Sequence, residues 1–509
     1  MPITVSVCLS LAFAICVALY SLRYYQMLQL GGYDGKKMLS YCFTGGFISL
    51  IVGAMVCAAA LVSEIFSVRS LLFCPVIALV GYFLFYRMPC TVKLKITRRM
   101  ARLMSVAALI NALCALALTE IGYSALCYAL LPASPLVIYL SNAALYPIER
   151  RIISSYEEKA KRRLAAINPI KIAITGSYGK TTAKNILAAM LKSKYRVCAS
   201  PLSYNTPAGL SLAINKNLTV GDEVFIAEMG ARKRGDVQYL TKMIKPEIAV
   251  ITAVGRQHLG TFGSIENVFR AKAELIENMP KGGKAYFNGD NERVHYMFDC
   301  YDGQKVLCGK NGAVRWENAV MSAKGLKFDL IVGDERQRVS TQLVGDHVPS
   351  MICLCAAVAH GLGVPLSDIK NAIGTLQPVA HRLQMLYNGS DVIIDDSFSS
   401  NEEGFRSAVK VLSYYSYLIK VIITPGVVEL GERQYRINYE LGEVAGGSCD
   451  YLIAIGSNAE ALIGGALKAG LPNRNAVAVR SRSEAMERYA AIKGGKAVLF
   501  ENDLPDNYR

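Results

Sequence analysis

The stretch Gly176-Ser177-Tyr178-Gly179-Lys180-Thr181-Thr182 has the residue types that hold the phosphate tail of a nucleotide. Its glycines let the backbone turn tightly and aim N–H groups at phosphate oxygens. Lys180 supplies a cation, and Thr181 offers a hydroxyl to Mg²⁺. The spacing departs from G-x-x-x-x-G-K-[ST], because Ile174 stands where the first glycine belongs. A phosphate loop needs a second metal ligand, and Glu228, closing the apolar run Val224-Phe-Ile-Ala-Glu228, is the oxygen donor in the right place. His258 follows the run Ile248–Thr252, past a strand end, where α/β proteins bind their ligands. Lys272, read alone, is a helical surface lysine.

Such residues work together only if strand ends are brought side by side. Lys171–Thr175 predicts a strand and Ala183–Leu191 a helix, with the glycine turn between them. From residue 170 short apolar runs alternate with helical stretches, the pattern of a parallel sheet. Beyond about residue 378, the runs Val392–Ile394, Leu418–Ile423, Tyr451–Ile455, Ala476–Val479 and Ala497–Phe500 predict a small Rossmann-like domain. The expected class is α/β behind N-terminal transmembrane helices. Four parts are expected: a membrane region 1–145, a basic linker 146–168, a central ATP-binding domain 169–377 and a C-terminal domain 378–509.

The first third has another character. Of the 509 residues 52% are hydrophobic and only 19% charged, which excludes a disordered chain. Apolar stretches at 3–22, 42–63, 69–86, 103–119 and 121–140 each approach the roughly 17–25 residues that span a bilayer. Arg23, Lys36 and Lys37 follow the first stretch, Lys93 to Arg102 the third, and Arg150 and Arg151 the fifth. The positive-inside rule then predicts a multi-pass protein of the cell membrane, its N-terminus outside and everything after residue 140 cytoplasmic. Ile148, Ile152, Tyr156, Ala160 and Leu164 form one face of a basic linker helix, read either as lying on anionic headgroups or as solvated. The net charge of +16 divides into +7 before residue 151 and +9 after it, so no nucleic-acid module stands out. Eight of the 14 cysteines lie in the apolar third, and the rest lack zinc or disulfide spacing, so no disulfides are expected.

Several motifs in one order resemble the Mur ligases, closest to the MurF type. They are Thr-Gly-Ser-Tyr-Gly-Lys-Thr-Thr (175–182), Glu-Met-Gly-Ala-Arg (228–232), Gly-Arg-Gln-His-Leu-Gly-Thr-Phe-Gly-Ser (255–264) and Ala-Lys-Ala-Glu (271–274). Asn288-Gly-Asp-Asn291, Gly345-Asp-His347, His381-Arg382-Leu, Asp395-Asp-Ser-Phe-Ser-Ser-Asn401 and Val428-Glu-Leu-Gly-Glu432 continue the series. The resemblance covers about 170–460. It implies an ATP-dependent carbon–nitrogen ligase of cell-envelope precursor synthesis that phosphorylates a carboxylate and lets an amine displace the phosphate. In that scheme Gly176, Ser177, Gly179, Lys180, Thr181 and Thr182 hold the phosphates, and Asn288, Arg382, Asp396 and Asn401 reach the rest of ATP. Thr181, Glu228, His258 and Lys272 serve Mg²⁺, with Lys272 matching a lysine often carbamylated in the family. Asn205 and Thr206 fall where relatives place a substrate-facing loop. An envelope-precursor acyl donor, an amino-acid or dipeptide acceptor and membrane lipid are the implied partners.

Three departures bear on substrate recognition. The uridine-nucleotide-binding first domain of MurF proteins is replaced by the apolar region. Asn438 stands where MurF-type sequences usually carry His, and Leu499-Phe-Glu-Asn-Asp503 stands where they show Lys-Gly-Ser. A glutamyl ligase of the poly-γ-glutamate or folylpolyglutamate type and a non-catalytic ATP-binding membrane scaffold are the alternatives.

Overall fold

The computed structural model describes residues 3–43, 46–65, 92–257, 259–323, 325–398 and 401–502. Residues up to Ile153 form one compact unit and Ser154–Asp503 another.

The first unit is helical. Among the described residues its helices are Ile3–Tyr20, Leu22–Leu30, Gly35–Phe43, Phe47–Ile65, Arg98–Glu120 and the beginning of Leu130–Ile167. Among the described residues Arg98–Glu120 and Ser124–Ile167 are long and apolar enough to cross a membrane. The pairs Ser6–Tyr20 with Leu22–Leu30, bent by 50°, and Gly35–Phe43 with Phe47–Val62, bent by 74°, add two more if each is one span. The expected span 69–86 lies outside the described residues. The last two expected spans separate at Gly122, whose φ of +92° is a left-handed conformation that glycine adopts without penalty. A 3₁₀ turn, Ser124–Ala129, follows, so the final helix begins at Leu130 rather than at residue 121.

The polar segments of this unit meet one another. The Gln29 side chain donates to the Lys95 carbonyl (2.8 Å) and accepts from the Lys95 N–H (2.9 Å). The Arg99 guanidinium lies 3.8 Å from the Tyr33 ring centroid, and Arg102 grips Glu149 with two bonds of 2.7 and 2.9 Å. Basic segments from three separate parts of the sequence therefore gather at one end of the helices.

The second unit carries two sheets. The first contains β1 (Ile170–Thr175), β2 (Val197–Ala199), β3 (Val224–Met229), β4 (Ile248–Ile251), β5 (Lys284–Asn288), β6 (Gln304–Cys308), β7 (Val314–Ser322), β8 (Gly325–Val332) and β9 (Glu335–Thr341), in the order β2-β3-β1-β4-β5-β6-β7-β8-β9. Strands β1 to β6 pair in parallel, and β7, β8 and β9 form an antiparallel extension that the sequence pattern did not announce. β1 is central, so its residues are buried on both faces and read as one apolar run, as parallel strands do.

The second sheet contains β10 (Gln384–Asn388), β11 (Asp391–Asp396), β12 (Ile419–Thr424), β13 (Tyr451–Ile455), β14 (Ala476–Val479) and β15 (Lys496–Glu501), ordered β10-β11-β15-β12-β13-β14. All pairs are parallel except β10 with β11. The chain-terminal β15 thus sits in the middle of its sheet.

The linker expected over 146–168 belongs to the helix Leu130–Ile167; of its apolar face, Tyr156 stays exposed in this unit while the last two residues are packed inside it. Ala160 and Leu164 are buried against Leu210, Ile214 and Leu218. Arg163 donates to the Leu218 carbonyl (2.6 and 2.8 Å), and Asn215 donates to the Tyr156 carbonyl (2.9 Å). Burial of those apolar side chains against the helix Pro207–Asn217 outweighs exposing them.

Candidate active site

The glycine turn leaves β1 at its C-terminal edge and opens the helix Lys180–Leu191. That helix starts three residues earlier than the apolar pattern predicts, because Gly179, at φ +79°, supplies the sharp turn into it. A side chain at Gly179 would collide with the Met351 methyl, and one at Gly176 with the Thr252 hydroxyl. The Thr252 hydroxyl donates to the Tyr178 carbonyl (2.6 Å), and the Ser177 N–H donates to the Ala253 carbonyl (2.7 Å), so β4 braces the loop. Helix-start N–H groups without helical partners lie beside it, a ready anion site. Lys180 curls over its own turn, donating to the carbonyls of Gly176 (2.7 Å) and Ser177 (3.1 Å). Burial, opposed by Glu228 and reinforced by Arg382, brings its ammonium down to about 8. Thr182 lines the neighbouring cleft.

Parallel pairing sets Thr175 beside Met229, which carries Glu228 to the same edge as the turn. Its carboxylate, 1% exposed, is the hub of the site. Thr181 donates its hydroxyl to Glu228 Oε2 (2.9 Å), Asn205 donates its amide to Oε1 (3.0 Å), and the buried Lys184 ammonium stands 3.3 Å from Oε2. Lys184 did not stand out in the sequence, although a lysine one turn beyond Lys180, in an otherwise apolar helix, was the available signal. Asn205 therefore fixes the carboxylate, and Thr206 caps the helix Pro207–Asn217 by accepting from the Gly209 N–H (3.2 Å); both are engaged within the protein.

Thr181 and Glu228 fit Mg²⁺. Their oxygens lie at 2.9 Å, the separation of adjacent vertices about an ion with bonds of roughly 2.0–2.1 Å. No group of three or more His, Cys, Asp or Glu side chains able to hold a metal occurs among the described residues, so phosphates and water would complete the shell. His258 lies outside the described residues. Lys272 is not a surface residue: it is 3% exposed. Burial and the nearby Lys180 charge, opposed by Glu274 and Asp236, lower its amine to about 7.

The C-terminal domain closes a cleft of about 680 Å³ over the turn. One wall is apolar (Ile186, Leu343, Val348, Leu376, Pro378), and Asn288, Arg382, Asp396, Asn401 and Glu403 supply polar groups. Asn288 donates to the Thr252 carbonyl (2.8 Å), and the Asn401 side chain accepts from the Gly404 N–H (3.0 Å), capping the helix Glu402–Ser413. Arg382 stacks on Phe398, 4.5 Å from the ring centroid; burial lowers its pKa, opposed by Glu228 and Asp396. Burial raises Asp396 to about 6, against the Leu383 N–H it accepts and the Arg382 charge, and raises Glu403 to about 7. Glu403 is a cleft residue that no motif signalled. The two domains touch through Gly260 N–H to the Glu429 carbonyl (2.9 Å) and through Lys410 with Asp346 (2.8 Å), so the motifs 255–264 and 428–432 meet.

Two of the departures are packing features. Asn438 is fully buried: it accepts from the Val427 N–H (2.9 Å) and donates to the carbonyls of Val427 (2.9 Å) and Gln434 (2.8 Å). Leu499 to Glu501 lie in the central β15, and Asn502 donates to the Gly426 carbonyl (2.7 Å). Both hold the loop that follows β12.

Residues 174–359 match the Mur ligase middle domain. The UDP-N-acetylmuramoyl-tripeptide–D-alanyl-D-alanine ligase of Mycobacterium tuberculosis (strain ATCC 25618 / H37Rv) is 30% identical over 284 residues, covering 54% of this chain and 56% of the relative. The Bacillus subtilis (strain 168) protein of that name is 26% identical over 296 residues, covering 57% and 64%. The chain spans little more than half the length of the first of these relatives. MurF from Acinetobacter baumannii has a similar fold (TM-score 0.64, 24% identity, 69% of this chain and 77% of that one). So does MurF from Thermotoga maritima in complex with ADP (TM-score 0.61, 24% identity, 69% and 80%). Two sheets joined across a cleft are thus the fold of those MurF structures, and the match to the Mur ligase middle domain is carried by residues 174–359.

Proposed function

We propose that this chain is a membrane-anchored, ATP-dependent ligase that joins a carboxylic acid to an amine, as its MurF relatives are named for doing. The observation that carries the reading is the meeting of Thr181, Lys184, Asn205 and Glu228 at the mouth of the glycine turn, beneath a cleft walled by both domains.

ATP is the phosphoryl donor, its base and ribose in the cleft and its phosphates on the turn. Lys180 exchanges its carbonyl partners for phosphate oxygens, which restores its full charge. Mg²⁺ held by Thr181 and Glu228 would offset the charge of the phosphates. A carboxylate oxygen of the acyl donor attacks the terminal phosphorus and ADP leaves. The incoming amine attacks the resulting acyl phosphate, the carbon–oxygen bond breaks, and amide, inorganic phosphate and a proton remain. Direct attack on the carboxylate would require oxide to leave, so phosphorylation is what makes the step feasible. Positioning and cations supply most of the rate, and closure over the cleft keeps water from the acyl phosphate. With its amine brought down to about 7, Lys272 has the free-amine form that adds CO₂ within reach near neutral pH; as a carbamate it would supply a further anionic ligand for Mg²⁺. A ¹³C carbonyl resonance appearing with ¹³C-bicarbonate, and missing from Lys272→Met, checks this.

The acyl donor is an envelope precursor such as a UDP-N-acetylmuramoyl-tripeptide or its lipid-linked counterpart, and the acceptor is an amino acid or a dipeptide such as D-alanyl-D-alanine. Membrane anchoring, with the ligase domains cytoplasmic, rests on the apolar helices and on the basic segments gathered at one end of the first unit. The test is mass spectrometry of products from the detergent-purified chain with ATP, precursor and D-alanyl-D-alanine or glutamate. D-alanyl-D-alanine amide and ADP are expected, both abolished by Lys180→Ala. Turnover unchanged by that substitution, or amide formed with glutamate alone, would refute the reading.

A further inference from the structure

Arg232, Lys233 and Arg234 are three consecutive exposed cations, and none forms an ion pair among the described residues. They occupy the loop between β3 and the helix Asp236–Ile244, at the edge of the sheet that carries the glycine turn. Two carboxylates lie close to this loop, yet both are used on backbone. Asp236 accepts from the N–H groups of Arg232 (2.9 Å) and Lys233 (3.0 Å), and Glu274 accepts from those of Gly235 (2.7 Å) and Gln238 (3.0 Å). The loop is fixed, and its side-chain charge is left unneutralised. Glu274 is two residues from Lys272, and the Gly230 N–H donates to the carbonyl of Asn205 (2.9 Å), whose amide holds Glu228. The three cations are therefore anchored from both sides to the residues around the reacting centre.

We infer that Arg232, Lys233 and Arg234 form the site that grips the diphosphate of the acyl donor. This rests on the ligase reading above and deepens it. Arg232 follows Glu228 by four residues, so its Cα lies within about 14 Å of that of Glu228, and the guanidinium reaches further. An extended tripeptide covers roughly 10 Å. A donor whose terminal carboxylate sits at the phosphate loop thus places its sugar-linked diphosphate in range of these side chains. Guanidinium groups suit the task, since their paired N–H donors match phosphate oxygens. The same chemistry is offered by a nucleoside diphosphate and by a lipid diphosphate, and the loop reads the group they share.

The test uses the full chain in detergent with the phosphate loop first filled by a non-hydrolysable ATP analogue and Mg²⁺, so that added ligand cannot bind there. Binding of inorganic pyrophosphate, of UDP-N-acetylmuramoyl-tripeptide and of the polyprenyl-diphosphate-linked form is then measured by calorimetry. Replacement of all three residues by Gln (R232Q, K233Q, R234Q) is expected to weaken each by roughly 10- to 100-fold. Arg232→Lys with Arg234→Lys keeps the charge but loses the paired donors and should weaken binding less than the Gln variant does, which separates lost charge from a damaged loop. The tighter of the two natural forms identifies the source of the diphosphate. Absence of pyrophosphate binding to the unmodified protein, or equal binding by the Gln variant, overturns the inference. Binding that behaves as expected without any amide product would instead remove the ligase reading and leave this site standing.

Discussion

Lys184 and Glu228 should be strongly coupled, because each is the buried counter-charge of the other. Their side chains are each 2% exposed and their charged atoms 3.3 Å apart. At an effective dielectric near 20 that separation corresponds to about 5 kcal/mol of attraction, much of it offset by desolvation of both ions. Removing one partner strands the other. Lys184→Met leaves Glu228 with the neutral donors of Thr181 and Asn205 and the flanking charges of Lys180 and Arg382, and Glu228→Gln leaves the buried Lys184 ammonium with the Leu202 carbonyl as acceptor. Each substitution should lower the unfolding free energy by roughly 3–5 kcal/mol. The double variant should lose well under the sum, with a coupling of about 2–3 kcal/mol. Trp316 is the only tryptophan in the chain and lies in the central domain, so its fluorescence during urea unfolding reads this region alone. A further consequence concerns Lys184→Met: saturating Mg²⁺ and ATP analogue should stabilise it more than the unmodified protein, because the metal replaces the lost cation. Additive effects of the two single substitutions, within about 0.5 kcal/mol, would refute the assignment of Glu228 as a buried charge held by Lys184.

Three further outcomes follow from single positions. Gly179→Ala forces a left-handed residue and a clash with Met351, so it should cost about 1–3 kcal/mol in stability and abolish tight ATP-analogue binding, checked by calorimetry. Lys180 has its pKa depressed to about 8 in the ligand-free protein, so its charge is present below that value and lost above it. Analogue affinity should therefore fall as pH rises through about 8 in the unmodified protein and be flat there in Lys180→Arg. Asn438→Ala strips the partner from the buried Val427 N–H, leaves the Val427 C=O with Gln434 alone, and should cost about 1–3 kcal/mol by urea unfolding followed with circular dichroism; a change under about 0.5 kcal/mol would contradict its role as the clamp of that loop.

The phosphate-binding frame was legible because it is local. An apolar run, a glycine turn and a helix are adjacent in the chain, and parallel pairing of β1 with β3 delivers Glu228 by register alone. What stayed hidden depends on contacts between distant segments. Lys184 and Lys272 look like ordinary helical lysines until the sheet and the neighbouring helices bury them. Glu403 becomes a cleft group only when the second domain docks. The antiparallel strands β7 and β9 carry charged residues on largely exposed faces, and in β8 Lys327 and Asp329 interrupt the apolar run, so they left little trace. Asn438 and Asn502 differ from the MurF pattern at positions that hold a loop, a role visible only through their hydrogen bonds. Of the apolar face read over 148–164, Ala160 and Leu164 are buried and Ile148 and Tyr156 are exposed, because periodicity marks a face without naming what covers it.

The central claim is that this site moves a phosphoryl group onto a carboxylate before the amide forms. Incubating the full chain with ATP, D-alanyl-D-alanine and precursor labelled with ¹⁸O in its free carboxylate tests it by mass analysis of the released phosphate. One ¹⁸O atom in the phosphate, with ADP and amide in equal amounts, is expected, and no label should appear with Lys180→Ala. Amide formed while the phosphate carries no label would contradict the account.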